Sequence, residues 1–187
     1  MQALNIALFQ AIAAGPTPDS QALLWFAASV AEGTTWVCLA LMGWVAWRQP
    51  AQRSYAMAAL VAAAAASFIA QELAEVIGMP RPFVVGLSPA HIEHGIRGAL
   101  PSAHATVMFT VGLVYCLRAA TRKLGLAILA IAVLTGWARI YVGVHFPFDI
   151  LAGLGLAIAM TGLFWLLKQL GQRLVAPLIA RDDLRAH

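Results

Sequence analysis

The chain has 187 residues, 61% of them hydrophobic and only 11% charged, with a formal net charge of +4. A soluble domain is about 45–50% apolar and about 25% charged, so composition excludes a water-soluble globule and a disordered chain alike. A membrane span takes about 20 apolar residues, so the length holds five or six passes and no separate soluble domain.

Met1–Ala14 is apolar and uncharged, closed by Gly15-Pro16-Thr17-Pro18. It lacks a cationic start and a clear cleavage pattern, so it reads as a short interfacial or half-inserted helix rather than a signal peptide. Five long apolar segments follow: Ser20–Trp47, Ser54–Met79, Ser102–Leu117, Leu124–Tyr141 and Phe148–Leu170. Glu32, Gly33, Thr34 and Thr35 interrupt the first and predict a break there. The fold expected is an all-α integral membrane protein: one domain over 1–187, a bundle of five to six transmembrane helices with its core at 54–170 and a cytoplasmic tail at 171–187. Cys38 and Cys116 lie in apolar runs and form no metal or redox pattern.

The charges set an orientation. Arg48, Arg53, Arg118, Arg122, Lys123, Lys168, Arg173, Arg181 and Arg185 all fall on one side of a five-span arrangement, and the positive-inside rule makes that side cytoplasmic. The other three cations, Arg81, Arg97 and Arg139, stand with the most polar residues on the opposite side. The polar residues therefore stand on the non-cytoplasmic side. Nothing in the sequence points to nucleic acid, and the oligomeric state is not legible.

Three clusters converge on that outer side. Gly78-Met79-Pro80-Arg81-Pro82-Phe83 ends the second span, where the prolines stop the helix around Arg81. Pro101-Ser102-Ala103-His104 opens the third, with Ser102 a natural N-cap and the free N–H groups of a helix start suited to an anion. The third is Arg139, five residues, His145, three residues, Asp149. Pro147 suits the first turn of the last helix, and the i,i+4 spacing of His145 and Asp149 would place both on one helix face.

A lone histidine at a membrane surface is an ordinary interface residue, and a lone arginine there snorkels to headgroups. Two arginines, two histidines, a serine and an aspartate at span ends on one side are a functional set, because ionisable groups at membrane depth are costly. Arg81, Arg139 and the helix start form a cationic nest for a tetrahedral anion. His145 is placed to attack phosphorus, Asp149 to fix its tautomer, and His104 to protonate the departing oxygen. Two histidines and a carboxylate also suit zinc or iron, but the adjacent arginines oppose a dication. The expectation is therefore no metal and no cofactor.

The three clusters resemble the signature of the type-2 phosphatidic acid phosphatase superfamily: Lys-x6-Arg-Pro, then Pro-Ser-Gly-His, then Ser-Arg-x5-His-x3-Asp. The resemblance implies a six-span core with an outward-facing site, metal-independent chemistry and a phospho-histidine intermediate. By position it implies His145 as nucleophile, Asp149 as its partner, His104 as general acid, and Arg81, Arg139, Ser102 and the backbone at Ala103 as phosphate contacts. The sequence departs from the pattern at Ala74, which stands for the lysine, at Ala103 for the glycine and at Ala138 for the serine. Arg97 is a candidate replacement donor.

Within the superfamily the chain looks most like the bacitracin-resistance type of undecaprenyl pyrophosphate phosphatase. That likeness rests on Asn5–Ile12 with Pro18-Asp19-Ser20, on Arg81-Pro82-Phe83-Val84, on Arg139–His145 and on His94, a candidate contact for a second phosphate. It implies hydrolysis of undecaprenyl pyrophosphate, a polyprenyl pyrophosphate, in peptidoglycan biosynthesis. The alternatives are the same chemistry on phosphatidylglycerophosphate, phosphatidic acid or lipid A phosphates, and, in another class, a non-catalytic lipid-phosphate binder or transporter.

Overall fold

A computed structural model describes the backbone of residues 2–185 and the side chains of residues 2–174. It is all-helical: α1 Gln2–Ile12, α2 Gln21–Arg48, α3 Arg53–Ile77, α4 Ala103–Cys116, α5 Arg122–Tyr141 and α6 Pro147–Arg185. Four helices, α2, α3, α5 and α6, are long and apolar enough to cross a membrane. The other two apolar helices are shorter. The 14 residues of α4 sit in the middle of the bundle, packed on α3, α5 and α6. At 11 residues α1 falls short of a span and lies against α5 and α6 at the end of the bundle where α6 begins.

The expected break in the first long segment does not occur, and α2 runs uninterrupted from Gln21 to Arg48. Its buried threonine is satisfied within the helix and across it. The Thr34 hydroxyl donates back to the Val30 carbonyl at 2.8 Å and lies 2.8 Å from the Thr135 hydroxyl of α5. Helix α6 continues through the segment expected as a tail as far as Arg185, and the last two residues lie outside the described ones.

Close packing rests on small residues. One face of α3 is Ala56, Ala59, Ala63, Ala66, Ala70 and Ala74, all buried at helical spacing. Between α4 and α6, a Cβ on Gly153 would lie 3.0 Å from both the Ala105 Cβ and the Ser102 carbonyl oxygen. By contrast α2 packs mainly on α5 and touches α3 only sparingly, so a cleft remains between α2 and α3.

Candidate active site

The ends of four helices supply the site. Helix α3 stops at Gly78, whose left-handed backbone (φ 62°) lets its N–H close on the Ala74 carbonyl at 3.0 Å. The chain then runs through Arg81 into the loop before α4. Ser102 caps α4 by accepting from the Ala105 N–H at 3.5 Å, and its own N–H donates to the Asp149 carbonyl at 3.0 Å. This ties the start of α4 to the first turn of α6. Pro147 is the first residue of α6, as its fixed φ favours.

His145 stands just before α6 rather than on it. The i,i+4 spacing still brings the pair together, but through the turn that enters the helix. The Asp149 Oδ2 lies 3.2 Å from His145 Nδ1 and accepts the Phe146 N–H at 2.8 Å. A carboxylate at Nδ1 selects the tautomer with the proton there, which leaves a lone pair on Nε2. That Nε2 lies 3.0 Å from an Arg81 guanidinium nitrogen, which donates to it. Burial, with Arg139 and Arg81 nearby, lowers the His145 pKa well below the ordinary value, so the imidazole is neutral.

Arg81 is clamped by three backbone carbonyls as well: Nε donates to Arg97 at 2.9 Å, and the terminal nitrogens to Val144 at 3.0 Å and Gly98 at 3.2 Å. Arg139, 2% exposed, donates to the Ala31 carbonyl of α2 at 3.1 Å and to His94 Nε2 at 2.6 Å. Its Nε is buried and has no partner among the described residues. Such an orphaned donor on a cationic group in a cavity suits an anion. His94 stacks edge-on to His145, ring centroids 5.9 Å apart. Burial, Arg81 and Arg139 push its pKa down to about 4.

These residues face one cavity of about 540 Å³, whose walls include Arg81, His94, Ala103, His104, Arg139 and His145. The expected residues therefore converge, with two set apart. Ser102 is fully buried and does not line the cavity; its hydroxyl holds the helix start. Asp149 stands behind His145. Arg97 reaches the cavity rim but pairs with Glu75 at 3.1 Å, an exposed contact beside the position of the absent lysine. His91 is tied to the Gly15 carbonyl at 2.8 Å.

Several contributors carry no signal in the motifs. Asn5 of α1 accepts the Phe148 N–H at 3.0 Å, and Phe9 packs edge-on against Phe146 at 5.3 Å. Both brace the turn that carries His145. Their traces in the sequence are a polar residue inside an apolar helix and the family likeness of Asn5–Ile12. Gly98 packs so closely on α3 that a Cβ there would collide with the Ala74 carbonyl. Ser67 and Gln71, joined at 3.0 Å, put polar groups on the cavity wall along α3.

A family model described as the PAP2 superfamily matches residues 55–173. YbjG of Escherichia coli (strain K12), provisionally named an undecaprenyl-diphosphatase, is 32% identical over 159 residues, covering 82% of this chain and 77% of that one. The undecaprenyl-diphosphatase BcrC of Bacillus subtilis (strain 168) is 36% identical over 86 residues, 46% of this chain and 44% of BcrC. Among solved structures, the transmembrane PAP2-type phosphatidylglycerolphosphate phosphatase of Bacillus subtilis shares the fold. Its TM-score is 0.68 at 18% identity, covering 90% of this chain and 86% of that one. The matched segment runs from the start of α3 into α6 and takes in every cavity-lining histidine and arginine, so the chain is a membrane protein that belongs to the PAP2 superfamily.

Proposed function

We propose that this PAP2 phosphatase removes the terminal phosphate of undecaprenyl pyrophosphate, without a metal, through a phospho-histidine formed on His145 Nε2. The observation that carries the reading is the buried imidazole held between Asp149 at Nδ1 and Arg81 at Nε2, on the wall of a cationic cavity.

The steps follow from the residues. Incoming phosphate takes the donors of Arg81 and the unused Nε of Arg139, together with the free N–H groups at the start of α4. Arg81 releases Nε2 as it turns to the phosphate. The Nε2 lone pair attacks the terminal phosphorus, and the bond to the bridging oxygen breaks. The lipid monophosphate departs, with His104 supplying a proton where the leaving oxygen needs one. Asp149 stabilises the charge that forms on the imidazole. Water then attacks the phosphorus as its proton passes to His104, the bond from phosphorus to Nε2 breaks, and inorganic phosphate leaves with the His145 lone pair restored.

YbjG and BcrC are named for the diphosphate substrate and support it here. His94 on Arg139 adds a neutral polar group beside the first phosphate, suited to a second one. The cations Arg48, Arg53, Arg118, Arg122, Lys123, Lys168 and Arg173 stand at the bundle end away from the cavity, which supports an inner-membrane location with the site facing the periplasm. A phosphatidylglycerophosphate substrate is the second reading, favoured by the structural neighbour's activity.

The test is phosphate release by detergent-purified protein in EDTA, with undecaprenyl pyrophosphate and phosphatidylglycerophosphate in parallel and His145→Ala as control. Release from the pyrophosphate that His145→Ala abolishes is expected. Preference for phosphatidylglycerophosphate would overturn the substrate and keep the chemistry. Activity lost in EDTA and restored by a divalent metal would overturn the metal-free mechanism.

A further inference from the structure

A second hollow, of about 820 Å³, lies at the other end of the bundle, between the start of α3, the end of α4 and α6. Its walls include Ser54, Tyr55, Arg118, Phe164, Lys168 and Gln172. Tyr55 is 19 residues before Ala74 on α3, hence about 28 Å along the helix from the polar end of the catalytic cavity, where Arg81 and His145 stand. The two polar sets therefore belong to opposite faces of the membrane.

Two cations share the tyrosine ring. The Arg118 guanidinium carbon lies 5.1 Å from its centroid and the Lys168 Nζ 5.8 Å. Both distances are in cation–π range. The ring itself is fixed: Tyr115 and Phe164 pack edge-on against it at 6.0 and 5.8 Å, and its hydroxyl donates to the Val114 carbonyl. Arg118 is anchored by donating to Gln52 Oε1 at 2.8 Å. Among the described residues neither cation has a carboxylate within ion-pair distance. Two like charges held on one aromatic ring repel each other, and an anion between them removes that repulsion.

The surroundings say what kind of anion. One turn along α3 from Ala58, on the wall, Val61 is exposed on the helix surface, and one turn along α6 from Leu167 so is Leu163. These residues lead from the hollow toward the middle of the bilayer, along surfaces that accept acyl chains. A soluble anion would use the cations and leave those surfaces idle. We propose that this hollow binds the phosphate of an anionic membrane lipid, in the leaflet opposite the catalytic cavity, with Arg118 and Lys168 as its cationic walls and Tyr55 as its floor. Bound there, the lipid bridges α3, α4 and α6 and stabilises the bundle by linkage.

The full-length protein in a neutral detergent tests this through its thermal unfolding midpoint and the lipid it retains in native mass spectrometry. Phosphatidylglycerol, phosphatidylcholine and inorganic phosphate are added separately. Phosphatidylglycerol is expected to raise the midpoint by about 3 °C or more and to remain bound, while phosphatidylcholine does neither. The double variant Arg118→Gln/Lys168→Gln should lose that shift. The pair Arg48→Gln/Arg173→Gln, at the same end but outside the hollow, should keep it. Should the first double variant fail to fold, Lys168→Gln alone must weaken retention at least fivefold. Equal losses in both pairs, an unchanged shift in the first, or a shift produced by inorganic phosphate and not by the lipid would each overturn the proposal.

Discussion

Asp149 selects which nitrogen of His145 keeps its lone pair. Its carboxylate faces Nδ1, so the lone pair sits on the nitrogen that faces Arg81. Asp149→Asn presents an amide donor to Nδ1 in one of its two orientations and favours the wrong tautomer. We expect kcat to fall by about 10²–10⁴-fold, with little change in KM. A loss below tenfold in folded protein would refute the role. His94 offers an independent check of the cationic field. Burial, Arg81 and Arg139 all disfavour its charged form, so it should titrate near 4 and be neutral at pH 7. Arg139→Gln removes one of those charges, so the midpoint should rise toward 6.5 without reaching it, because burial persists. Histidine carbon shifts across a pH titration measure this, and a midpoint at 6.5 or above in the unaltered protein would contradict the geometry.

The helices brace these side chains through contacts outside the motifs. Helix α1 holds the turn before α6 through Asn5 and Phe9. Phe9 is fully buried, so Phe9→Ala opens a cavity directly behind Phe146. We expect a stability loss of about 3 kcal/mol and a lower kcat, read from thermal unfolding and steady-state rates. An unchanged kcat would mean that α1 does not position the turn. Glycines give a sharper contrast within one helix. A Cβ at Gly153 meets α4 at 3.0 Å, whereas Gly155 has nothing within 4 Å. Gly153→Ala should destabilise by about 1–3 kcal/mol through overpacking, while Gly155→Ala should be neutral or slightly stabilising through helix propensity. Matched unfolding midpoints for the two variants would show that α4 and α6 are not packed this closely.

Taken across the bundle, the cavity is a passage as well as a pocket. It extends along α3 from Ala74 to Leu60, about 21 Å, and is walled on α2 by Thr35 and Leu39. The polar end carries Arg81, Arg139 and the three histidines, and the far end is apolar and lies between two helices that scarcely touch. A lipid whose headgroup reacts at one end would leave its chain in the cleft. Ala64→Trp, from an exposed position on the same wall, fills that cleft without touching the phosphate-facing residues. We expect KM for a long-chain lipid pyrophosphate to rise at least tenfold, with rates on a short-chain, water-soluble analogue kept within about twofold. Equal effects on both substrates would place the chain elsewhere.

Membrane residence and the helical class were legible in composition, because an excess of apolar residues has no aqueous fold available to it. The three clusters were legible because proline, serine and histidine mark helix ends whatever the packing. The segment boundaries were close for the same reason, and Pro147 does open α6. The break expected at Glu32–Thr35 was misread, since local polarity does not reveal that Thr34 finds Thr135 on a helix 101 residues away. Nor does spacing reveal that His145 meets Asp149 from a turn, that Arg97 turns to Glu75, or that Ser102 is shut behind its helix. Periodicity and end signals are local and survive in one dimension. Which donor meets which acceptor depends on how α4, α5 and α6 cross, and that crossing is decided by close approach at residues such as Gly153 and Gly125, whose absent side chains do not say which helix they will meet.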